Sequence, residues 1–516
     1  MTKIFHFSGV RRMMLLAAIA AGAVAAARAE YPVNYEGNVT LGAASGDFAP
    51  FYIASLDHGR NTQSLTSKIE AKVWRPMKMS DRFSYGFGVD LIGGYSSAVD
   101  YERFYPGSGW GTHGVRPATA WIQQLYGELK YRRVFLTVGM KETGSKMLNN
   151  RLTSGDIVES GNTRPIPGAR AGFIGFVDIP FTRGAVQIAG EVAYGKFVDN
   201  GWLKDQYNYY NDHLTTGEWF NYKCIYFRTD PRQRFSVTAG LQAAAEFGGY
   251  EQFYDKGRFT QEFNYPATFK TFLKMLVPIN DHEEGGFYTG NHLGSIDLKL
   301  RYRLRNGAEV MAYLSNPWED GSGMGKMNGF DGLWGIEYKA ADPNSVVSGA
   351  VIEYLDFTNQ SGPIHLNPAD FNGITITGHA SGSDDYYNNR SHRAYANYGM
   401  GIGTPMVMSP AYNVNGYPSY MTNLTRGFHI AVEGRVSPVV TYRVKGGYRK
   451  AWGNGQFILP RPISLTAVMA EAEWKPASVK GLTLNGKVEL DRGTMPGNSF
   501  GALVSVKYDG IFNLKK

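Results

Sequence analysis

The sequence predicts an all-β fold: a transmembrane antiparallel β-barrel of the Gram-negative outer membrane, with roughly 18 strands (16–20). Three observations predict it. Strands that are apolar on one face and charged on the other recur along almost the whole chain. No apolar run after the N-terminal segment is long enough to cross a bilayer as a helix. The N-terminus itself reads as an export signal. The clearest strand spans 296–304. Ile296, Leu298, Leu300, Tyr302 and Leu304 share one face, while Asp297, Lys299, Arg301 and Arg303 share the other. Such a strand suits a wall between lipid and water, not the core of a sandwich.

In chain order, the export signal comes first. Lys3, Arg11 and Arg12 form a basic region, 13–26 is apolar, and Ala27-Arg28-Ala29 is a small-x-small cleavage site. Residues 1–29 are therefore expected to be a cleaved signal peptide, and 30–516 a single barrel domain. Strand patterns follow. Leu65, Ser67, Ile69, Ala71 and Val73 alternate with Thr66, Lys68, Glu70 and Lys72. The same period marks 308–315, 428–436, 440–449 and 482–490, with looser segments near 37–45, 83–97, 119–131, 133–141, 170–178, 185–196, 219–229, 234–246, 331–340, 346–357 and 463–474. The last strand places Ala502, Val504, Val506, Tyr508 and Phe512 on one face, the kind of terminal strand that barrel-assembly machinery reads.

Connections should alternate in length. Arg132-Arg133, Asn306-Gly307 and Ser437-Pro438 read as tight periplasmic turns, and Asn-Gly is a strong hairpin signal. Long connections near 98–118, 142–168, 197–218, 247–291 and 358–425 should lie outside or fold into the lumen. Within one of them, 266–276 reads as a short helix with Phe269, Phe272, Leu273 and Leu276 on a stripe, expected to plug or roof the barrel.

Composition agrees. The chain has 63 Gly and 33 Tyr, which suit curved walls and interfacial girdles. Four basic and no acidic residues fall within 1–29, so the net charge of +8 becomes +4 in the mature chain. That balance, with no basic block, gives no reason to expect a nucleic-acid partner. Cys224 is the only cysteine, so no intrachain disulfide forms; it is expected to be a buried or lipid-facing small apolar residue.

The loops carry distinctive strings. One is Asn149-Asn150-Arg151-Leu152-Thr153-Ser154-Gly155-Asp156, followed by Ser160-Gly161-Asn162-Thr163-Arg164-Pro165. Another is Asn316-Pro317-Trp318-Glu319-Asp320-Gly321, with Asp331-Gly332-Leu333-Trp334 after it. A third is Asp384-Asp385-Tyr386-Tyr387-Asn388-Asn389, then Gly401-Ile402-Gly403-Thr404-Pro405 and Ser409-Pro410-Ala411-Tyr412-Asn413. With the early Ala49-Pro50-Phe51-Tyr52-Ile53, and in this order, they resemble the Wzi capsule-assembly family of outer-membrane barrels. The resemblance implies a barrel of roughly 18 strands that holds or organises surface polysaccharide as a lectin without catalysis. The best-described branch of that family carries periplasmic helices, whereas this chain enters strand-like sequence almost at once.

A polysaccharide site needs aromatic faces for stacking and Asn, Asp or Arg for paired hydrogen bonds to hydroxyls. The candidate binding residues are Asn149, Asn150, Arg151, Arg164, Trp318, Glu319, Asp320, Asp384, Asp385, Tyr386, Tyr387 and Asn388, with Tyr207, Tyr209 and Tyr210 supplying further rings. The same residue types also build ordered loops through side-chain-to-backbone bonds. Neither a Gly-x-Ser-x-Gly nor a His-Glu-x-x-His motif occurs, and Glu283-Glu284 and Asp384-Asp385 are not readable as acid/base couples. No enzyme activity, cofactor or metal is expected; 320–331 fails the EF-hand spacing. Two other functions stay open: an oligosaccharide porin or channel, and an outer-membrane enzyme scaffolded on the barrel. The expected partners are surface polysaccharide, outer-membrane lipid and, during insertion, the assembly machinery.

Overall fold

A computed structural model describes residues 32–277, 289–362 and 382–512. The expected signal peptide 1–29, Glu283-Glu284 and the last four residues lie outside them.

Eighteen antiparallel strands close into one barrel. They are β1 (Val33–Phe48), β2 (Gln63–Arg75), β3 (Phe83–Ser96), β4 (Ala120–Tyr131), β5 (Val134–Met140) and β6 (Gly168–Phe173, resuming at Val177–Asp178). Then come β7 (Val186–Lys196), β8 (Trp219–Thr229), β9 (Phe235–Phe247), β10 (Asn291–Arg303), β11 (Glu309–Trp318) and β12 (Gly332–Lys339). The last six are β13 (Gly349–Asp356), β14 (Thr425–Ser437), β15 (Val440–Gly453), β16 (Ile458–Trp474), β17 (Leu482–Gly493) and β18 (Ser499–Phe512). Each pairs with its neighbours in sequence, and β1 closes the ring on β18 from Val33↔Phe512 to Ala44↔Gly501. Closure leaves no edge, as a hydrocarbon surround requires.

The alternation holds in space. Val39, Leu41, Leu65, Ile69, Val138, Ile225, Leu241, Leu298, Ile352, Ile430, Val468, Val488 and Val506 are exposed on the outer face. Inward neighbours carry the expected ion-pair ladder: Arg301 to Glu309 at 2.6 Å, Lys299 to Glu337 at 3.2 Å, Arg60 to Glu70 at 3.0 Å, and Arg443 to Glu471.

The three tight turns lie at one end, with the paired strand ends Val33 and Phe512, and this is the periplasmic end. Gly307 there adopts φ +85°, which a side chain would oppose. The long connections all leave from the other end. Every helix among the described residues, Phe51–Ala54, Asn200–Gln206, Phe269–Lys274, Gly321–Met324 and the 3₁₀ turn Pro410–Tyr412, belongs to that extracellular side.

One expectation needs correction. The 266–276 helix forms at Phe269–Lys274, capped by Thr268 in a capping box, but it neither plugs nor roofs the barrel. Phe272 packs on Trp219, Tyr194 and Phe247, with ring centroids 5.1, 5.3 and 5.0 Å apart. Those three rings share the outward phase of Ile225, Val192 and Leu241, so the helix lies against the outside of the wall. Cys224 is buried, 8% exposed, on the lumen side of its strand, in keeping with a buried small apolar residue.

Candidate functional site

The lumen is not an open pore. The connections 49–62, 141–167 and 382–424 fold into it and build a hydrophobic core with the upper inner wall. Phe51, Tyr52, Met147, Ile157, Val158, Tyr386, Tyr387, Tyr395, Met406, Val407 and Tyr420 pack there against Tyr222, Leu355, Leu465 and Met469.

Buried carboxylates on the wall hold this plug by its backbone. Asp491 accepts from Phe51 N at 2.9 Å, and Glu489 from Tyr52 N and Ile53 N at 2.7 and 2.8 Å. The Ala-Pro-Phe-Tyr-Ile string is thus a docking element for β17. His429 links two plug segments. Its Nε2 donates to Leu152 O at 2.7 Å, which leaves Nδ1 to accept from the Tyr52 hydroxyl at 2.8 Å. Glu353 accepts from Thr153 Oγ1 and Ser154 N at 2.7 and 2.6 Å. Asp156 accepts from Gln242 Nε2 of β9 at 2.7 Å. Each removes an otherwise unpaired backbone or side-chain group from the lumen interior.

The sequence candidates divide into three places. Seven sit together at the extracellular end in a packed knot: Glu319, Asp320, Asp384, Asp385, Tyr386, Tyr387 and Asn388. Glu319 accepts from Tyr387 N at 2.8 Å, and Asp320 caps Gly321–Met324 through Ser322 N at 2.7 Å. Asp384 takes the Ser361 hydroxyl at 2.5 Å, and Asp385 takes Asn423 Nδ2 at 2.6 Å. Asn388 brackets the Tyr420 backbone, accepting from N and donating to O at 2.8 Å each. The Tyr386 hydroxyl donates to Asp331 at 3.1 Å, and the Tyr387 hydroxyl to Ile157 O at 2.6 Å. Trp318 lies beside this knot over Gly294 and the Gly321–Met324 turn. Trp318, Tyr386 and Tyr387 are 2–3% exposed, so they offer no free face for a sugar.

Asn149, Asn150 and Arg151 lie instead near the periplasmic end of the lumen, at the tip of the inward-folded 141–167 connection. Asn149 donates to Glu337 at 3.1 Å, and Arg151 pairs with Glu433 at 2.7 Å; both carboxylates belong to the lower halves of β12 and β14. Asn150 bonds the Ser145 backbone, accepting from N at 2.8 Å and donating to O at 3.0 Å. Arg164 is buried between the rings of Trp121 and Tyr398, 4.3 and 4.5 Å from their centroids. Among the described residues no carboxylate pairs with it, and burial depresses its pKa to about 10.

Burial also sets the charge of the extracellular knot. It raises Asp384 and Asp331 from 3.8 to about 6, and pushes Glu319 well above the usual carboxylate range beside Asp384. The folded knot therefore binds protons that the unfolded loops release. Its stabilisation is full below about pH 4 and is lost as pH rises through about 6. Protease cleavage of the 382–424 connection, normalised to protease activity, is expected to be slower at about pH 5 than at about pH 7.5. The reverse order would mean these carboxyls stay ionised.

Sequence reasoning missed an exposed aromatic ledge. The hairpin Val99–Tyr105/Gly109–Val115 and the sheet Asn211–Thr216, Gly249–Asp255, Arg258–Tyr265 rise above the rim. Phe104, Trp110 and Tyr210 form one cluster with centroids 4.9–5.5 Å apart. Tyr207, Tyr209 and Tyr254 form a second, at 4.8–5.8 Å, with the Arg103 guanidinium 5.2 Å from Tyr209. Phe104 N donates to Asn208 O at 2.9 Å and joins the two clusters. Trp110, Tyr250, Phe259 and Phe263 are 44–56% exposed. Tyr207, Tyr209 and Tyr210 were readable as loop aromatics. The rest were not, although the ring density of 250–265 was a usable signal.

Among the described residues, no group of three or more His, Cys, Asp and Glu is arranged to hold a metal ion. Between the plug and strands β4 to β7 the lumen keeps a cavity of about 520 Å³ whose lining includes the charged side chains Glu128, Lys141, Lys146 and Arg170.

Wzi of Escherichia coli superimposes with a TM-score of 0.51 at 13% identity, covering 96% of this chain and 87% of its own. The fold is that of the Wzi barrel. Wzi is described as an outer-membrane protein involved in group 1 capsule assembly and as a carbohydrate-binding β-barrel. Acinetobacter baumannii OccAB2 (TM-score 0.45, 8% identity, 93% of this chain and 98% of that one) and Pseudomonas aeruginosa OccK3 (0.42, 9%, 93% and 96%) are more distant. No protein-family model and no curated protein sequence matches this chain.

Proposed function

We propose that this outer-membrane barrel is lectin-like: it binds or organises surface polysaccharide at its extracellular crown, in capsule assembly or attachment, and is not an enzyme. The observation that carries the reading is the aromatic ledge. It offers half-exposed ring faces beside Arg103, the pairing of surfaces that sugar C–H faces and carboxylates or hydroxyls require. The likeness to Wzi supports the same reading. The buried candidates then act beneath the ledge. Trp318, Glu319, Asp320, Asp384, Asp385, Tyr386, Tyr387 and Asn388 hold the crown's shape, while Asn149, Asn150, Arg151 and Arg164 fix the plug.

A second reading, a narrow oligosaccharide channel, is favoured by the cavity along β4 to β7, with its charged side chains. One experiment separates the two. Trp110→Ala combined with Tyr210→Ala is expected to weaken capsular-glycan affinity of the refolded barrel by about tenfold or more, since one lost aromatic anchor costs about a kilocalorie or more. Capsule retention should fall with it while the barrel still folds. Unchanged affinity and retention would remove the ledge from the site. Steady conductance in planar bilayers, without glycan binding, would favour the channel.

A further inference from the structure

The outer wall of β7 to β9 is abnormal for a lipid-facing surface. In β8, Ile225 and Phe227 face outward and are 38% and 42% exposed, as lipid contacts should be. The next outward positions toward the cell exterior are Lys223 and Asn221, followed by Trp219. At about 3.3 Å per residue and a tilt near 40°, Lys223 sits roughly 10 Å below Trp219, inside an apolar band about 25 Å tall. A bare ammonium there is costly. Helix Phe269–Lys274 covers it. Lys223 Nζ donates to Met275 O at 2.5 Å and to Asn221 Oδ1 at 2.9 Å, and the Tyr194 hydroxyl donates to Phe272 O at 2.6 Å. Outward-facing Ala243 and Ala245 are only 2% and 0% exposed, and Ala245 packs in one cluster with Phe247 and Met275.

The helix has a second apolar face. Phe269, Leu273, Leu276 and Val277 follow the i, i+4, i+7, i+8 stripe on the side away from the barrel and are 79%, 53%, 38% and 56% exposed. That face continues the lipid-facing surface of Val192, Ile225 and Leu241. We infer that Phe269–Lys274 is an interfacial wedge embedded in the outer leaflet, with Phe269 and Leu273 among its acyl chains. The occupant of this face is lipid, because the helix covers a wall position that lies at acyl depth. The wedge also has a mechanical consequence. Strand Arg258–Tyr265 enters the helix through Pro266–Thr268, so the aromatic sheet is held down at the membrane surface.

Site-directed spin labelling tests this on the full barrel reconstituted in bilayers. With Cys224→Ala as background, nitroxides are placed at Phe269→Cys and Leu273→Cys. Ile296→Cys serves as the lipid-facing reference and Val414→Cys as the extracellular one. Both wedge labels are expected to show the Ile296 pattern: high accessibility to oxygen and low accessibility to an aqueous nickel chelate, with a ratio several-fold above that at Val414. A ratio matching Val414 would overturn the inference. Strong label–label dipolar broadening would also overturn it, by placing a second copy of the chain on this face. Both positions are exposed, so labelling leaves the packed face of the helix intact, and heat-modifiable migration confirms the folded barrel before each measurement.

Discussion

Replacing Trp318, Tyr386 and Tyr387 together by Ala is expected to leave the barrel wall intact and open the plug. The wall is a closed hydrogen-bonded ring in which none of these side chains takes part. All three are nearly inaccessible, and Tyr387 stacks on Tyr395 with centroids 5.7 Å apart and an interplanar angle of 14°. Removing a buried aromatic typically costs about 3–5 kcal/mol. Tyr386 and Tyr387 share the packed knot, so the losses are not additive, but together they remove much of the hydrophobic packing that holds the plug in the lumen. The unboiled protein should still migrate as a folded barrel. Its 382–424 connection should become protease-sensitive, and planar bilayers should show conductance absent from the parent. A variant that inserts, stays closed and resists protease, yet loses glycan, would return these rings to the sugar-binding surface.

The wall was legible because a membrane barrel imposes two solvents on alternate residues. In β10 a one-residue slip would put Asp297, Lys299 and Arg301 into lipid, so the sequence pattern alone specifies facing and register. Tight turns were legible for a similar local reason: Arg132-Arg133 and Asn306-Gly307 connect strands whose phases match across them. The outer half of the inner wall obeys a different rule. Tyr222, Leu355, Leu465 and Met469 face a protein plug, not water, so their apolar character blurred the alternation there.

Loop destinations were much less legible. Asp384-Asp385-Tyr386-Tyr387-Asn388 reads as a polar, surface-exposed string. Yet its carboxylates and amides pair with backbone and hydroxyl groups, and its rings turn inward. Nothing in a string without periodicity tells whether its polar groups face solvent or cap one another. The same holds for Asn149-Asn150-Arg151, which the fold carries through the lumen to the periplasmic end. The stripe on 266–276 was correctly apolar, but a stripe cannot say which side of a wall it meets. Only the outward phase of Trp219 and Tyr194 decides that.

Leu298→Arg is expected to impair membrane insertion severely, and Leu300→Arg less so. Both side chains face outward, 39% and 37% exposed, on the phase of Ile296 and Tyr302. Tyr302, 48% exposed, marks the periplasmic interface of β10. At about 2.5 Å of depth per tilted residue, Leu298 lies roughly 10 Å above it and Leu300 roughly 5 Å. Arginine on the lipid face costs about 2–4 kcal/mol at the midplane and falls toward about 0–1 near an interface, where the side chain reaches headgroups. Arg301→Leu sits between them in sequence but faces inward. It loses bonds to Glu309 at 2.6 Å and to Pro231 O at 2.7 Å, while Arg303 keeps Glu309 paired at 3.2 Å. Its loss should therefore be smaller than that of Leu298→Arg. Denaturant titration in lipid vesicles, read as the heat-modifiable fraction, ranks the three. Equal losses, or Arg301→Leu as the worst, would mean that β10 does not cross the membrane with Leu298 in lipid.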